Sequence, residues 1–227
     1  TQGSDRRIIT TIYGALLSDA MPTFDTLRTR WETDLSISLT DTQWKQALQQ
    51  TKTVSRNMRL RFTQLNYLHR TYLTPHRIAK IYNTSSPSCP RCGHHTADFI
   101  HMTWACPVIA EAWESVQKEL ANILDSPVLT TPESCILGIR PNPKQDKYKN
   151  KLLNLAFALF KRLIAMQWKS RDAPNINTWC KILLKWAQAE SDAMTESANI
   201  VENDTEGRLI WNTYIYKLHT RNDDKPP

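Results

Sequence analysis

The chain has 227 residues, 41% of them hydrophobic, and a formal charge of +7. Its five glycines (Gly3, Gly14, Gly93, Gly138, Gly207) lie too far apart for any phosphate-cradling loop, which excludes GxGxxG and Walker-type nucleotide sites. So few tight-turn residues also argue against a β-sandwich or barrel, and a mainly α protein is expected.

Ser4 and Asp5 can cap a first helix with Ile8, Ile9, Ile12 and Leu16 on one stripe, ending before Pro22. A second helix, 23–34, carries Phe24, Leu27 and Trp31 at helical spacing. Thr40-Asp41 caps a third, with Trp44, Ala47 and Leu48 inward. A fourth, about 56–73, divides into two faces. Met58, Phe62, Leu65, His69 and Tyr72 form the face expected to be buried; Arg56, Arg59, Thr63, Asn66 and Arg70 form a polar and basic row opposite. Pro75 opens a short fifth helix with Arg77 and Lys80. Residues 83–97 form a loop. Pro107 opens a helix to about 124, with Ile109, Trp113, Val116 and Leu120 inward. Residues 126–145 hold four prolines (Pro127, Pro132, Pro141, Pro143) and read as a linker with a short turn near Ile136. The stretch 152–168 is apolar on two stripes and belongs at the centre of a bundle; Asn154, Lys161 and Arg162 interrupt it too often for a membrane span. After Pro174 comes a helix over 176–194 with Trp179, Leu183 and Trp186. Residues 190–206 read as a loose acidic stretch, and a short last helix is expected over 210–218.

Charge is segregated. Residues 42–97 hold nine Lys or Arg and no Asp or Glu; residues 135–185 hold eleven against two. Acidic stretches separate these blocks. Surface helices ordinarily interleave Glu with Lys or Arg. A long window without any carboxylate suits a polyanionic partner.

Three cysteines and a histidine are spaced C-x2-C-x8-H-x4-C: Cys89, Cys92, His101 and Cys106. The x2 spacing lets two thiolates from one turn take two tetrahedral corners; Pro90 stiffens that turn and Gly93 relieves it. His101 and Cys106 do not share one face of an unbroken helix, so the chain must bend before Pro107. Three thiolates and an imidazole predict one Zn²⁺ in a closed structural site. His94 and His95 are rival ligands placed awkwardly close to Cys92. Trp104 and Trp113 read as a mini-core beside the loop, Cys135 and Cys180 as buried thiols. The expected fold is helical bundle segments flanking a small zinc-stabilised loop. The segments are 1–55, a basic helix plus zinc module over 56–125, a linker over 126–150, and a C-terminal helical region over 151–227.

These residues together resemble the C-terminal part of a LINE-type (non-LTR) retrotransposon reverse transcriptase of the LINE-one clade. The match runs through Leu68-His69-Arg70-Thr71-Tyr72-Leu73-Thr74-Pro75 to Ile81-Tyr82, then Cys89 and Cys92, then His101-x-x-Trp104-x-Cys106-Pro107. Leu137-Gly138 and Ile164-Ala165-x-x-Trp168-Lys169 also fit. The likeness spans about residues 5–190 and is most specific over 66–113. The retroviral nucleocapsid knuckle differs, with x4 between its second Cys and its His.

The resemblance implies a piece that follows the polymerase thumb. It would hold template RNA and target DNA during target-primed reverse transcription, in a ribonucleoprotein of cytoplasm and nucleus. Polymerase and endonuclease domains of the same polypeptide would lie upstream; the start at Thr1 without an initiator Met also reads as a piece of a longer polypeptide, and five cysteines without a secretory signal suggest a reducing compartment. No catalytic residue is expected. There is no H-E-x-x-H and no G-x-S-x-G, and Asp223-Asp224 follows Arg221-Asn222 rather than Tyr or Phe. Phosphate contacts are expected from Arg56, Arg59, Arg70, Arg77, Lys80 and Arg91, with Lys144, Lys147, Lys149 and Lys151 as a second patch. Tyr72 and Tyr82 are expected in core packing before base stacking. The alternative is a protein-interaction module docking the polymerase core or a host factor; no membrane partner is expected.

Overall fold

The computed structural model describes residues 11, 24–83, 86–140, 147–198 and 205–223. Helices supply most of this structure, and no strand occurs among the described residues. No helix there is long and apolar enough to cross a membrane. The expected first helix, with Ile8, Ile9, Ile12 and Leu16, lies outside the described residues.

The chain divides into two compact units, Thr1–Trp44 and Lys45–Pro227. In the first, α1 (Phe24–Leu35) buries Trp31 completely. Ser36 turns the chain at φ +54°. Arg28 ties the turn, reaching Glu32 at 3.2 Å, Asp41 at 2.6 Å and the Leu39 carbonyl. Next comes α2 (Asp41–Thr53), entered through a reciprocal cap. Gln43 N–H donates to Thr40 Oγ1 at 3.2 Å, and Thr40 N–H donates to Gln43 Oε1 at 2.9 Å.

In the second unit the elements are α3 (Met58–Leu68), α4 (Pro75–Ile81), a π-helical turn π1 (His101–Ala105) and α5 (Pro107–Leu124). A second π-helical turn, π2 (Glu133–Leu137), precedes α6 (Lys147–Met166), α7 (Ile176–Ala198) and α8 (Thr205–Asp223). As its two apolar stripes require, α6 is central, packing against α3, π2, α7 and α8. Aromatic rings fill the core. Trp113 meets Phe160 edge-on at 4.6 Å, and Phe160 meets Trp179 at 6.2 Å. Three buried indoles each donate to a main-chain carbonyl: Trp113 to Thr103, Trp179 to Ala156 and Trp211 to Ala187, all within 3.1 Å. Cys135 and Cys180 are buried, as expected.

Four expectations need correction. The buried face of α3 is neither of the two expected rows. Met58 is 69% and Phe62 62% exposed, and Leu65 and His69 are also outward. Leu60, Thr63, Gln64, Tyr67 and Leu68 are buried instead. The cause lies on α6, where Lys161 is only 2% exposed. Its ammonium donates to Gln64 Oε1 and, at 2.9 Å, to the Ile136 carbonyl. Gln64 Nε2 donates to the same carbonyl at 3.0 Å, and Tyr67 OH donates to the Lys161 carbonyl at 2.9 Å. A buried amine needs such partners, so α3 turns Gln64 and Tyr67 inward, with Leu60 and Leu68, while Arg59 stays exposed.

Residues 126–140 are no loose linker. Residues 134–140 are buried throughout, and Gly138 (φ +77°) closes π2 so tightly that a Cβ there would strike Gln50. The basic-and-metal segment and the C-terminal region therefore share one core, joined through Val54, Trp113, Cys135, Phe157 and Trp211. The acidic stretch also begins as helix. Glu190 is buried on α7, accepts from Ser55 Oγ at 2.9 Å and pairs with Lys151 at 3.2 Å. The last helix is longer than expected and docks on α5 through Arg221, whose fork holds Glu119 at 2.7 and 3.0 Å.

Candidate metal centre and basic surface

The metal loop is built by short backbone bonds. Ala97 N–H donates to the Pro87 carbonyl, Cys89 N–H to His94 and Gly93 N–H to Cys89, at 2.8, 2.8 and 3.0 Å. Gly93 supplies the left-handed conformation that this reversal needs, at φ +76°. The required bend before Pro107 is made by π1. Its i→i+5 bond, Cys106 N–H to the His101 carbonyl at 2.9 Å, widens the helix and swings His101 toward Cys106. Cys106 is itself extended (φ −62°, ψ 126°), and α5 starts immediately after it. His101 N–H is capped by Asp98 at 2.7 Å.

The loop and π1 bring all four predicted ligands together. One ligand atom from each of Cys89, Cys92, His101 and Cys106 lies within 4.8 Å of the others, so the set can hold a metal ion. Cys89 Sγ and Cys106 Sγ are 3.9 Å apart, and Cys92 Sγ and His101 Nε2 are 3.3 Å apart. Cys92 is exposed at the rim; the other three are buried. Burial pushes the Cys89 thiol up, but the N–H groups of Cys92 and Arg91 outweigh it and leave the pKa lowered. Burial raises Cys106 to about 11 against the opposing N–H groups of Ile109 and Val108. Burial, then His94, lowers the His101 pKa and favours the neutral ligand form. His94 and His95 stay outside the ligand set; His94 stacks on His101 at 4.7 Å. Trp104 and Trp113 meet at 5.7 Å beside the loop, but Trp113 continues into the main core rather than a separate one.

The cations predicted to meet phosphate separate into several groups. Arg59, Arg77 and Lys80 are exposed. Arg56 is exposed too, with Nη1 on the Ala193 carbonyl at 3.0 Å. Arg70 is a correction. It is 5% exposed, sits at φ +52° just past α3, and its guanidinium lies 5.9 Å from the Phe99 ring. Arg91 is another correction, because it clamps the metal loop to α6 through the Gln167 carbonyl at 2.9 Å. Lys147 and Lys149 lie on the first turn of α6, Lys147 over the Tyr148 ring at 5.1 Å. Lys151 is engaged by Glu190 and by the Trp211 ring at 5.0 Å. Lys144 lies outside the described residues. Tyr72 packs on Tyr67 and Trp168 at 5.5 and 5.2 Å, whereas Tyr82 is exposed.

A groove of about 760 Å³ runs between the start of α3, α6 and α7. Leu159, Leu163, Met166, Ile182 and Trp186 give it an apolar floor. Arg56, Arg59, Arg162 and Lys185 stand around it. Sequence reasoning missed Arg162, Lys185 and Trp186 as surface groups. Arg162 and Lys185 belong to the second basic block, and that was their one signal.

No protein-family model matches the chain.

Proposed function

We propose that the chain is a non-catalytic nucleic-acid-binding module built on one structural zinc ion. The groove carries this reading. An apolar floor with an indole, rimmed by four cations, suits a strand whose phosphates meet Arg and Lys while a base packs on an aromatic face. The zinc assignment rests on donor chemistry. Tetrahedral Zn²⁺ with Zn–S near 2.3 Å and Zn–N near 2.0 Å sets edges of about 3.8 Å for S···S and about 3.5 Å for S···N. The pairs at 3.9 and 3.3 Å fit these edges. Four protein ligands leave no open position, so the ion stabilises the loop rather than performing chemistry. The resemblance to LINE-type reverse transcriptases supplies the context: template RNA and target DNA held for target-primed reverse transcription, in cytoplasm and nucleus, beside polymerase and endonuclease domains.

The test is fluorescence anisotropy with single-stranded RNA and DNA at rising salt. Each phosphate contact contributes roughly 0.7 to the log–log salt slope on a single strand. The triple variant Arg59→Gln/Arg162→Gln/Lys185→Gln is therefore expected to lower that slope by about 2 and to weaken binding about a hundredfold at 0.1 M salt. No binding at low salt, or an unchanged slope, overturns the reading.

A second reading, a docking module for the polymerase core or a host protein, draws on one observation. Met58, Phe62 and Leu65 form an exposed apolar row along α3. Phe62→Ser should then reduce co-purification with the polymerase core while leaving RNA affinity unchanged.

A further inference from the structure

Beyond Arg56 and Glu190, which border both cavities, lies a second pocket of about 350 Å³. It is bounded by the end of α2, Arg61 of α3, Arg140 and the first two turns of α6. Its character is opposite to that of the groove. Among its described lining side chains Val54 is the one large apolar group, and no aromatic ring contributes. Among the described residues, five cations (Arg56, Arg61, Arg140, Lys147, Lys151) face one carboxylate, Glu190, already held by Ser55 and Lys151. Gln46, Gln50, Asn150 and Asn154 add amides.

Arg140 shows that the site is built inside the fold. It is 6% exposed. Nη1 donates to the Ser134 carbonyl at 2.8 Å and Nη2 to Asn154 Oδ1 at 2.7 Å, while its buried Nε finds no acceptor. No carboxylate pairs with it among the described residues. A buried cation without a counter-charge is costly, and an anion in the pocket offsets that cost. One face of α6, carrying Lys147, Asn150, Lys151 and Asn154, lines the same side.

We infer that this pocket binds phosphate groups, by charge and amide hydrogen bonds and without base contact. Guanidinium forks match phosphate oxygens in pairs, and the amides supply further donors. A metal cation is excluded by the surplus of positive charge, and an apolar ligand by the polar walls. The inference stands apart from the nucleic-acid reading; where both hold, the phosphate belongs to the bound strand.

Titration calorimetry with sodium tripolyphosphate tests it, with sodium sulfate at matched ionic strength as comparison. One tripolyphosphate per chain is expected. Asn150→Asp sets a carboxylate in the pocket and also in the first turn of α6, where the helix dipole favours it, so the fold should persist. It should weaken tripolyphosphate at least about tenfold. Arg61→Gln should do likewise, and a melting curve checks both variants. The groove triple variant should leave tripolyphosphate affinity unchanged, since none of its residues lines this pocket. Absence of binding, equal affinity for sulfate, or indifference to both pocket variants overturns the inference. Tripolyphosphate binding without RNA binding would remove the nucleic-acid reading alone. RNA binding without tripolyphosphate binding would remove this one alone.

Discussion

Cys106→Ser is expected to abolish metal binding and to destabilise the second unit more than any other ligand substitution. Cys106 is fully buried, closes π1 and precedes the first turn of α5, whereas Cys92 is exposed at the rim. With free zinc a thousandfold above the dissociation constant, bound metal stabilises the folded chain by about 4 kcal/mol. That stabilisation should vanish in the variant. Metal analysis should give one zinc per wild-type chain and none for Cys106→Ser. A chelator should lower the wild-type melting temperature and leave the variant's unchanged. Full metal content in the variant would remove Cys106 from the ligand set. Helical signal should survive, because the ring contacts of Trp113, Phe160 and Trp179 involve none of the four candidate ligands.

The stability of the second unit is expected to climb between pH 7 and pH 9, and Lys161→Met to remove most of the climb. Burial lowers the Lys161 pKa from 10.5 to about 7 in the folded chain. Between those values the unfolded chain binds more protons, so stability rises with pH. It is lost as pH falls through about 7. The gain over this window is about 2 kcal/mol. Gln64, Tyr67, Cys135 and Arg140 face the ammonium or its surroundings, and no carboxylate appears among its contacts. Above about pH 9 the climb should flatten. Burial raises the Cys135 thiol from 9.0 to about 12, so the folded chain keeps a proton that the unfolded chain releases, which opposes Lys161. Denaturant titrations at pH 7 and pH 9, for wild type and variant, measure the difference. Equal pH slopes in the two proteins would refute it.

Features governed by local chemistry were legible in the sequence. Thr40-Asp41, Pro75 and Pro107 mark helix starts because caps and proline act within one turn. The ligands Cys89, Cys92, His101 and Cys106 were legible because coordination fixes their spacing. What failed depended on distant partners. Several faces of α3 have helical periodicity, and the one that is buried meets Lys161, nearly a hundred residues away. Counting charge could not separate Arg59, which is exposed, from Arg70 and Arg91, which serve the fold. Proline density suggested a linker where a buried π turn receives Lys161 and Arg140.

Arg91 stands between Cys89 and Cys92 and holds the carbonyl of Gln167, just beyond α6. The last turns of that helix also carry Leu163 and Met166 in the groove floor. On the proposed reading, metal and strand would draw on one segment of backbone, and a free energy shared between two ligands is reciprocal. Any factor by which zinc tightens the groove for nucleic acid is the factor by which nucleic acid retains zinc. If zinc tightens the groove, a bound strand should accordingly raise the chelator concentration needed to remove half of the zinc at equilibrium.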